Sequence, residues 1–129
     1  MARRATRRPT NLELEILKVL WQEGPSTVRH VREVMARERQ LGYTTVLKML
    51  QIMTEKGLVE CDRSERAHVY SPRESRCVVR RRLVGDLLER AFDGSAAQLM
   101  LHALEQKKAK PEELAEIRRV LGKIERERK

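Results

Sequence analysis

From residue 10 onward the apolar positions keep a helical period. In "TNLELEILKVLWQEG", Leu12, Ile16, Leu17, Val19 and Leu20 suit one face of an amphipathic helix. Thr10 and Glu13 have capping-box spacing, and Gly24-Pro25 ends the run. "STVRHVREVMARE" repeats the pattern with Val28, Val31, Val34 and Met35 behind Ser26 or Thr27 as cap, predicting a second, shorter helix. "GYTTVLKMLQIMTEKG", residues 42–57, predicts a third with a glycine stop.

The period then changes. Leu58 to Asp62 and Ala67 to Ser71 are β-prone runs flanking the polar tip Arg63-Ser64-Glu65-Arg66, which is a hairpin signal. Ser71, Pro72 and Glu74 supply a cap, a first-turn proline and a capping-box partner for a long helix running to about Phe92. Its stripe is Val79, Leu83, Val84, Leu87, Leu88 and Ala91, and Asp93-Gly94 stops it. "SAAQLMLHALEQ" predicts a fifth helix, and Pro111 opens a sixth in which Leu114, Ile117, Leu121 and Ile124 recur at spacings of 3, 4 and 3. Three helices followed by a hairpin is the order of a winged helix-turn-helix. The expectation is a mainly α chain: a basic arm over 1–9, a winged-helix DNA-binding domain over 10–71, and a helical dimerisation domain over 72–129.

At 100° per residue, Val46, Leu50 and Met53 share one face of the third helix, flanked by Tyr43, Leu47 and Thr54. Thr44, Thr45, Lys48, Gln51, Ile52 and Glu55 lie opposite. Hydroxyls, an amide and an ammonium near a helix N-terminus suit phosphate and base-edge contacts. The bland alternative is that the two threonines cap the helix and Lys48 is a solvated charge. Context favours nucleic acid, because Arg63 and Arg66 sit at the wing tip and Arg3, Arg4, Arg7 and Arg8 fill the arm, so three elements present cations. The expected DNA contacts are Tyr43, Thr44, Thr45, Lys48, Gln51, Arg63 and Arg66.

Composition agrees and excludes other classes. The 129 residues are 40% apolar and 36% charged, with one Trp, two Tyr and one Phe, so the core must come from aliphatic residues and Met, which favours small helical layers. The formal charge of +9 divides as +4 over residues 1–70 and +5 over 71–129, a spread basicity that fits a polyanionic partner. No run of 18 apolar residues occurs, and the opening arginines precede no apolar region, so neither membrane insertion nor secretion is expected and the cytoplasm is the expected compartment. Cys61 and Cys77 lack metal spacing, and His30, His68 and His102 sit on three separate elements, so no metal and no cofactor are expected. Catalysis is not expected either: there is no Gly-rich phosphate loop, no H-E-x-x-H and no G-x-S-x-G. Trp21 reads as a packing anchor.

The stretches "LELEILKVLWQEGPSTVRHVREVM", "LGYTTVLKMLQIMTEKGLVE" and "RAHVYSP" occur in the order and at the intervals of a known family. The chain resembles the penicillinase-repressor, or BlaI/MecI/CopY, group of bacterial transcriptional regulators. The resemblance continues more loosely through "FDGSAAQLMLHALEQ" and "PEELAEIRRVL" and covers nearly the whole chain. It implies a winged-helix domain joined to a helical region that pairs two chains, and a homodimer that represses promoters by occupying dyad-symmetric operators in double-stranded DNA. Dimerisation is expected through Leu83, Leu87, Leu99, Leu114, Ile117, Leu121 and Ile124, whose narrow stripes can hardly enclose a core alone.

Two departures from the family concern induction. Copper-responsive members end in closely spaced cysteine pairs, whereas no thiol follows Cys77 here. Antibiotic-responsive members are relieved when a membrane metalloprotease sensor triggers cleavage of an Asn-Phe bond in the helix matching "LMLHALEQ", where this chain has His102-Ala103. The expectation is a repressor relieved by an upstream signal, with His102 and Ala103 marking the region matching the family's cleavage site.

Overall fold

Thr10 opens the first helix as its spacing to Glu13 predicts. In the computed structural model, which describes residues 8–128, the Thr10 hydroxyl accepts the Glu13 N–H at 3.2 Å and the Glu13 carboxylate accepts the Thr10 N–H at 2.9 Å. Helix α1 (Asn11–Glu23) therefore begins with its first donors satisfied and ends at Gly24, whose φ of 85° suits glycine. Strand β1 (Ser26–Thr27), helices α2 (Val28–Met35) and α3 (Tyr43–Lys56), and strands β2 (Val59–Asp62) and β3 (Val69–Pro72) follow. Helices α4 (Arg76–Ala91), α5 (Ala96–Gln106) and α6 (Pro111–Glu127) complete the order. Arg3, Arg4 and Arg7 of the expected arm lie outside the described residues, and Arg8 is exposed.

The described residues form two units, one ending at Leu83 and the other beginning at Val84. In the first, Ile16, Leu17 and Leu20 from α1, Val31 from α2, and Val46, Leu50 and Met53 from α3 are at most 1% exposed and close over Val59 and Tyr70 of the sheet. Burying each large aliphatic side chain contributes about 1.5–3 kcal/mol, so the three helical stripes hold the unit together. The sheet is antiparallel in the order β1-β3-β2, with Ser26 opposite Tyr70, and Cys61 opposite Tyr70 on the other side. Three helices and a hairpin over this small sheet are a winged helix. Trp21 is its outer anchor: the indole N–H donates to the Glu74 carbonyl at 3.0 Å, and the Arg76 guanidinium lies 5.9 Å from the ring centroid.

Two features differ from the sequence expectation. Strand β1 was unforeseen, because two residues are too short to show alternation; Ser26 is buried, its hydroxyl donating to the Gly24 carbonyl at 2.7 Å. The fourth helix begins later than its capping signal predicts. Ser71 and Pro72 belong to β3, paired with Glu60 and Val59, while Ser75 accepts the Val78 N–H on its hydroxyl and the Val79 N–H on its carbonyl. Pairing across the hairpin outweighs the local cap, and Pro72 is tolerated because β1 reaches only Val69 and Tyr70, leaving β3 an edge there.

The second unit holds the rest of α4 with α5 and α6. Asp93 (φ 50°) and Gly94 (φ 80°) stop α4 as predicted, the Ser95 hydroxyl caps α5 by accepting the Gln98 N–H at 3.1 Å, and Pro111 opens α6. No residue of α5 or α6 is fully buried. Leu87, Leu121 and Ile124 are 46–47% exposed and Leu101 is 56% exposed, while Leu83, Leu99, Leu114 and Ile117 are half-buried. No helix among the described residues is long and apolar enough to cross a membrane.

Candidate nucleic-acid interface

Helix α3 is fixed at one end and open at the other. At its C-terminus Gly57 adopts φ 83°, its N–H reaching the Thr54 carbonyl at 3.1 Å, and the Leu58 N–H reaches the Met53 carbonyl at 2.9 Å, a left-handed cap that satisfies these two carbonyls of the last turn. One residue earlier, the Lys56 ammonium meets the Glu13 carboxylate at 2.7 Å. Their side chains are only 15% and 3% exposed, so this is a buried charge pair, and Glu13 is also held by the Thr10 N–H. At the N-terminus the cap residue is Gly42, which has no side chain to offer, and no other side chain among the described residues caps the helix. Thr44 and Thr45 therefore do not cap α3; both are exposed.

With Val46, Leu50 and Met53 fully buried, the opposite face of α3 is left to solvent. Thr44, Thr45, Lys48, Gln51 and Glu55 are exposed, and Ile52 is 38% exposed. Tyr43, placed by its phase beside the apolar stripe, is 50% exposed.

The wing is ordered by its own sequence. The Asp62 carboxylate accepts the Ser64 N–H at 2.9 Å, and this bond holds the Asp62 carboxyl below its ordinary range. The resulting turn leaves Arg63 and Arg66 exposed at the tip. On the central strand Tyr70 is buried, and burial, followed by its hydrogen bond with Cys61, pushes the phenol up to about 12, so it stays neutral beneath the wing.

On the other flank, Thr27 caps α2 by accepting the His30 N–H at 3.1 Å. The exposed side of that helix carries Arg29 and Arg32, and the Arg32 Nε–H donates to the Leu41 carbonyl at 3.1 Å, tying α2 to the turn before α3.

An open cleft runs between these elements. Thr27 lines it from the end of β1, Arg29 and Arg32 from α2, Tyr43, Leu47 and Gln51 from α3, and Arg63, Arg66, His68 and Tyr70 from the hairpin. Of the expected contacts, Tyr43, Gln51, Arg63 and Arg66 thus share one concavity, while Thr44, Thr45 and Lys48 are exposed on α3 outside its lining. Sequence reasoning missed Arg29 and Arg32 because α2 was read only for its apolar stripe; the available signal was two arginines at i, i+3 on the polar face. Among the described residues no cluster of His, Cys, Asp and Glu could hold a metal ion, and Cys61 and Cys77 are free thiols. His102 and Ala103 are exposed on α5, the His102 ring 5.7 Å from that of Phe92.

The penicillinase repressor family model matches residues 9–123 of this chain. The transcriptional regulator BlaI of Mycobacterium tuberculosis is 37% identical over 117 residues, spanning 89% of this chain and 83% of the relative. The penicillinase repressor of Bacillus licheniformis is 23% identical over 112 residues, spanning 87% and 88%. Among solved structures, the monomeric form of Bacillus licheniformis BlaI in complex with the blaP half-operator covers 55% of this chain and 87% of its own, at 22% identity and a TM-score of 0.49.

Proposed function

The chain belongs to the penicillinase repressor family, and from that premise we propose that it is a DNA-binding transcriptional repressor acting as a homodimer on dyad-symmetric operators. It is a regulator and not an enzyme. The observation that carries the reading within this molecule is the uncapped, exposed N-terminal turn of α3. Thr44 and Thr45 are not consumed in closing the helix, so their hydroxyls, the first-turn N–H groups and Lys48 are available together at the positive end of the helix dipole.

In this reading α3 enters the major groove, where Thr44, Thr45 and Lys48 meet base edges and phosphates, with Tyr43 and Gln51 at its flank. Arg63 and Arg66 of the wing take the backbone, and the basic arm over 1–9 adds further phosphate contacts. Residues 10–71 bind DNA and residues 72–129 pair two chains. Leu83, Leu87, Leu99, Leu114, Ile117, Leu121 and Ile124 are the pairing residues, supported by the half-buried or exposed state of each in the single chain. The repressor works in the cytoplasm and is released by an upstream signal. If a membrane metalloprotease sensor pathway supplies that signal, the exposed segment at His102-Ala103 is where a cut would fall, at a bond unlike the family's Asn-Phe.

A footprint on the DNA upstream of the chain's own gene, with excess nonspecific competitor, tests this. The expected result is a protected dyad about two to three helical turns long. The Thr45→Ala, Lys48→Ala double variant should lose that protection while retaining its fold. Unchanged operator affinity in the double variant would show that α3 does not read the groove, leaving a winged helix that docks on protein.

A further inference from the structure

We infer that the cleft between α2, α3 and the wing seats one sugar-phosphate strand of the operator duplex, with Arg29 and Arg32 as phosphate contacts, and that base reading falls to the Thr44, Thr45 and Lys48 face outside it. The inference rests on the repressor reading and adds two contacts and a division of labour to it.

The charge pattern of the cleft is the first reason. Arg29 and Arg32 line one side and Arg63 and Arg66 the other, and no carboxylate is among its lining residues. The chain has 19 acidic against 28 basic residues, so a merely solvated surface would intersperse the two signs. Four guanidinium groups lining one concavity give it a positive potential that a polyanion seated between them offsets.

The state of those arginines is the second. Arg29 reaches Glu33 only at 3.6 Å, with side chains 82% and 61% exposed, a pair of little worth. Arg32 uses Nε on the Leu41 carbonyl, which orients the guanidinium while leaving its terminal N–H groups for another acceptor. Arg63 and Arg66 form no ion pair with any described residue.

The remaining lining fixes the kind of occupant. Thr27, Tyr43 and Gln51 add neutral hydroxyl and amide donors between the charged walls, suited to phosphodiester and sugar oxygens, while Leu47 offers apolar surface for a deoxyribose. The cleft is open to solvent rather than enclosed, so it admits a continuous strand and would hold a small anion poorly.

The test compares salt dependence of binding for the full-length wild type and for Arg29→Gln, Arg32→Gln and the double variant. The probes are a duplex carrying the footprinted site and a scrambled duplex of equal length and composition. Each single substitution should lower affinity by the same factor on both duplexes and flatten the log–log salt slope by roughly 0.9 per phosphate lost. The ratio of operator to scrambled affinity should stay at the wild-type value. Arg29→Gln keeps the test clean if the loss of the Leu41 tie disturbs the Arg32→Gln variant. Unchanged slopes in Arg29→Gln and in the double variant would overturn the inference, and so would a changed affinity ratio, which would make these arginines base readers. A wild type with no preference for the operator would overturn the repressor reading instead, while the slopes on the scrambled duplex would still decide the cleft.

Discussion

Glu74 shows how a single residue can be read correctly as important and wrongly as to role. Its spacing from Ser71 suggests a capping-box carboxylate, yet in the fold it takes the Arg82 guanidinium through two bonds of 2.9 and 2.6 Å, and its carbonyl receives the Trp21 indole. The Arg82 hydrogen bond holds the Glu74 carboxyl below its ordinary value of 4.5. A carboxyl depressed in the folded state adds stability above its unfolded value and loses it as pH falls through the folded one. The pair is about a third exposed, with side chains at 34% and 32%, so the contribution at neutral pH should be under about 1 kcal/mol. Urea unfolding of the wild type and Glu74→Gln should show a stability gap at pH 7 that narrows once pH falls below the ordinary carboxylate value of 4.5 and closes as the folded-state carboxyl is protonated. A gap independent of pH would assign Glu74 a packing role. The legible residues were those whose role depends on near neighbours in the chain, such as Thr10 and Glu13. The ion pair from Lys56 to Glu13 joins residues 43 apart, and no local spacing announces it.

Among the elements, the helices were legible because each carries several turns of period, and Val46, Leu50 and Met53 stand fully buried where their phase puts them. Strand β1 was not, having two residues and no period, and the start of α4 was not, because a local cap and a cross-strand pairing competed for Ser71 and Pro72. The stop of α3 was legible from Gly57 alone. A Cβ there would meet only the Arg73 Nη1 at 3.6 Å, ordinary contact, so the cost of substitution is backbone strain at φ 83° and not collision. Gly57→Ala should lower stability by about 1–2 kcal/mol in chemical denaturation, and Gly57→Asn by less, because Asn tolerates the left-handed region. Equal losses would mean that the left-handed conformation is not what the position requires.

For the molecule as a whole, charge and element order in the sequence point to a basic winged helix, while the cleft is not legible there, since Arg29, Gln51 and Arg63 line one concavity only once α2, α3 and the hairpin are folded. The second unit was legible as helices but not as a self-sufficient core, and it leaves Leu87, Leu101, Leu121 and Ile124 uncovered. The proposed pairing of two chains over this surface makes Ile117→Asp and Leu121→Asp specific tests. Sedimentation of either variant should give a monomer where the wild type gives a dimer, with operator protection reduced to weak half-site binding. A monomeric wild type at micromolar concentration would remove the dimer from the account.

The bare entrance of α3 has a consequence in time. The N–H groups of Tyr43, Thr44 and Thr45 precede the first intrahelical bond, from Val46 to the Gly42 carbonyl, and no side chain among the described residues bonds them. In the free protein these amides should exchange with deuterated water within seconds, while Leu50 and Met53 a few residues on keep their protons far longer. Bound to its operator, the same three amides should slow, so the helix carries a built-in clock for groove occupancy, readable without any label.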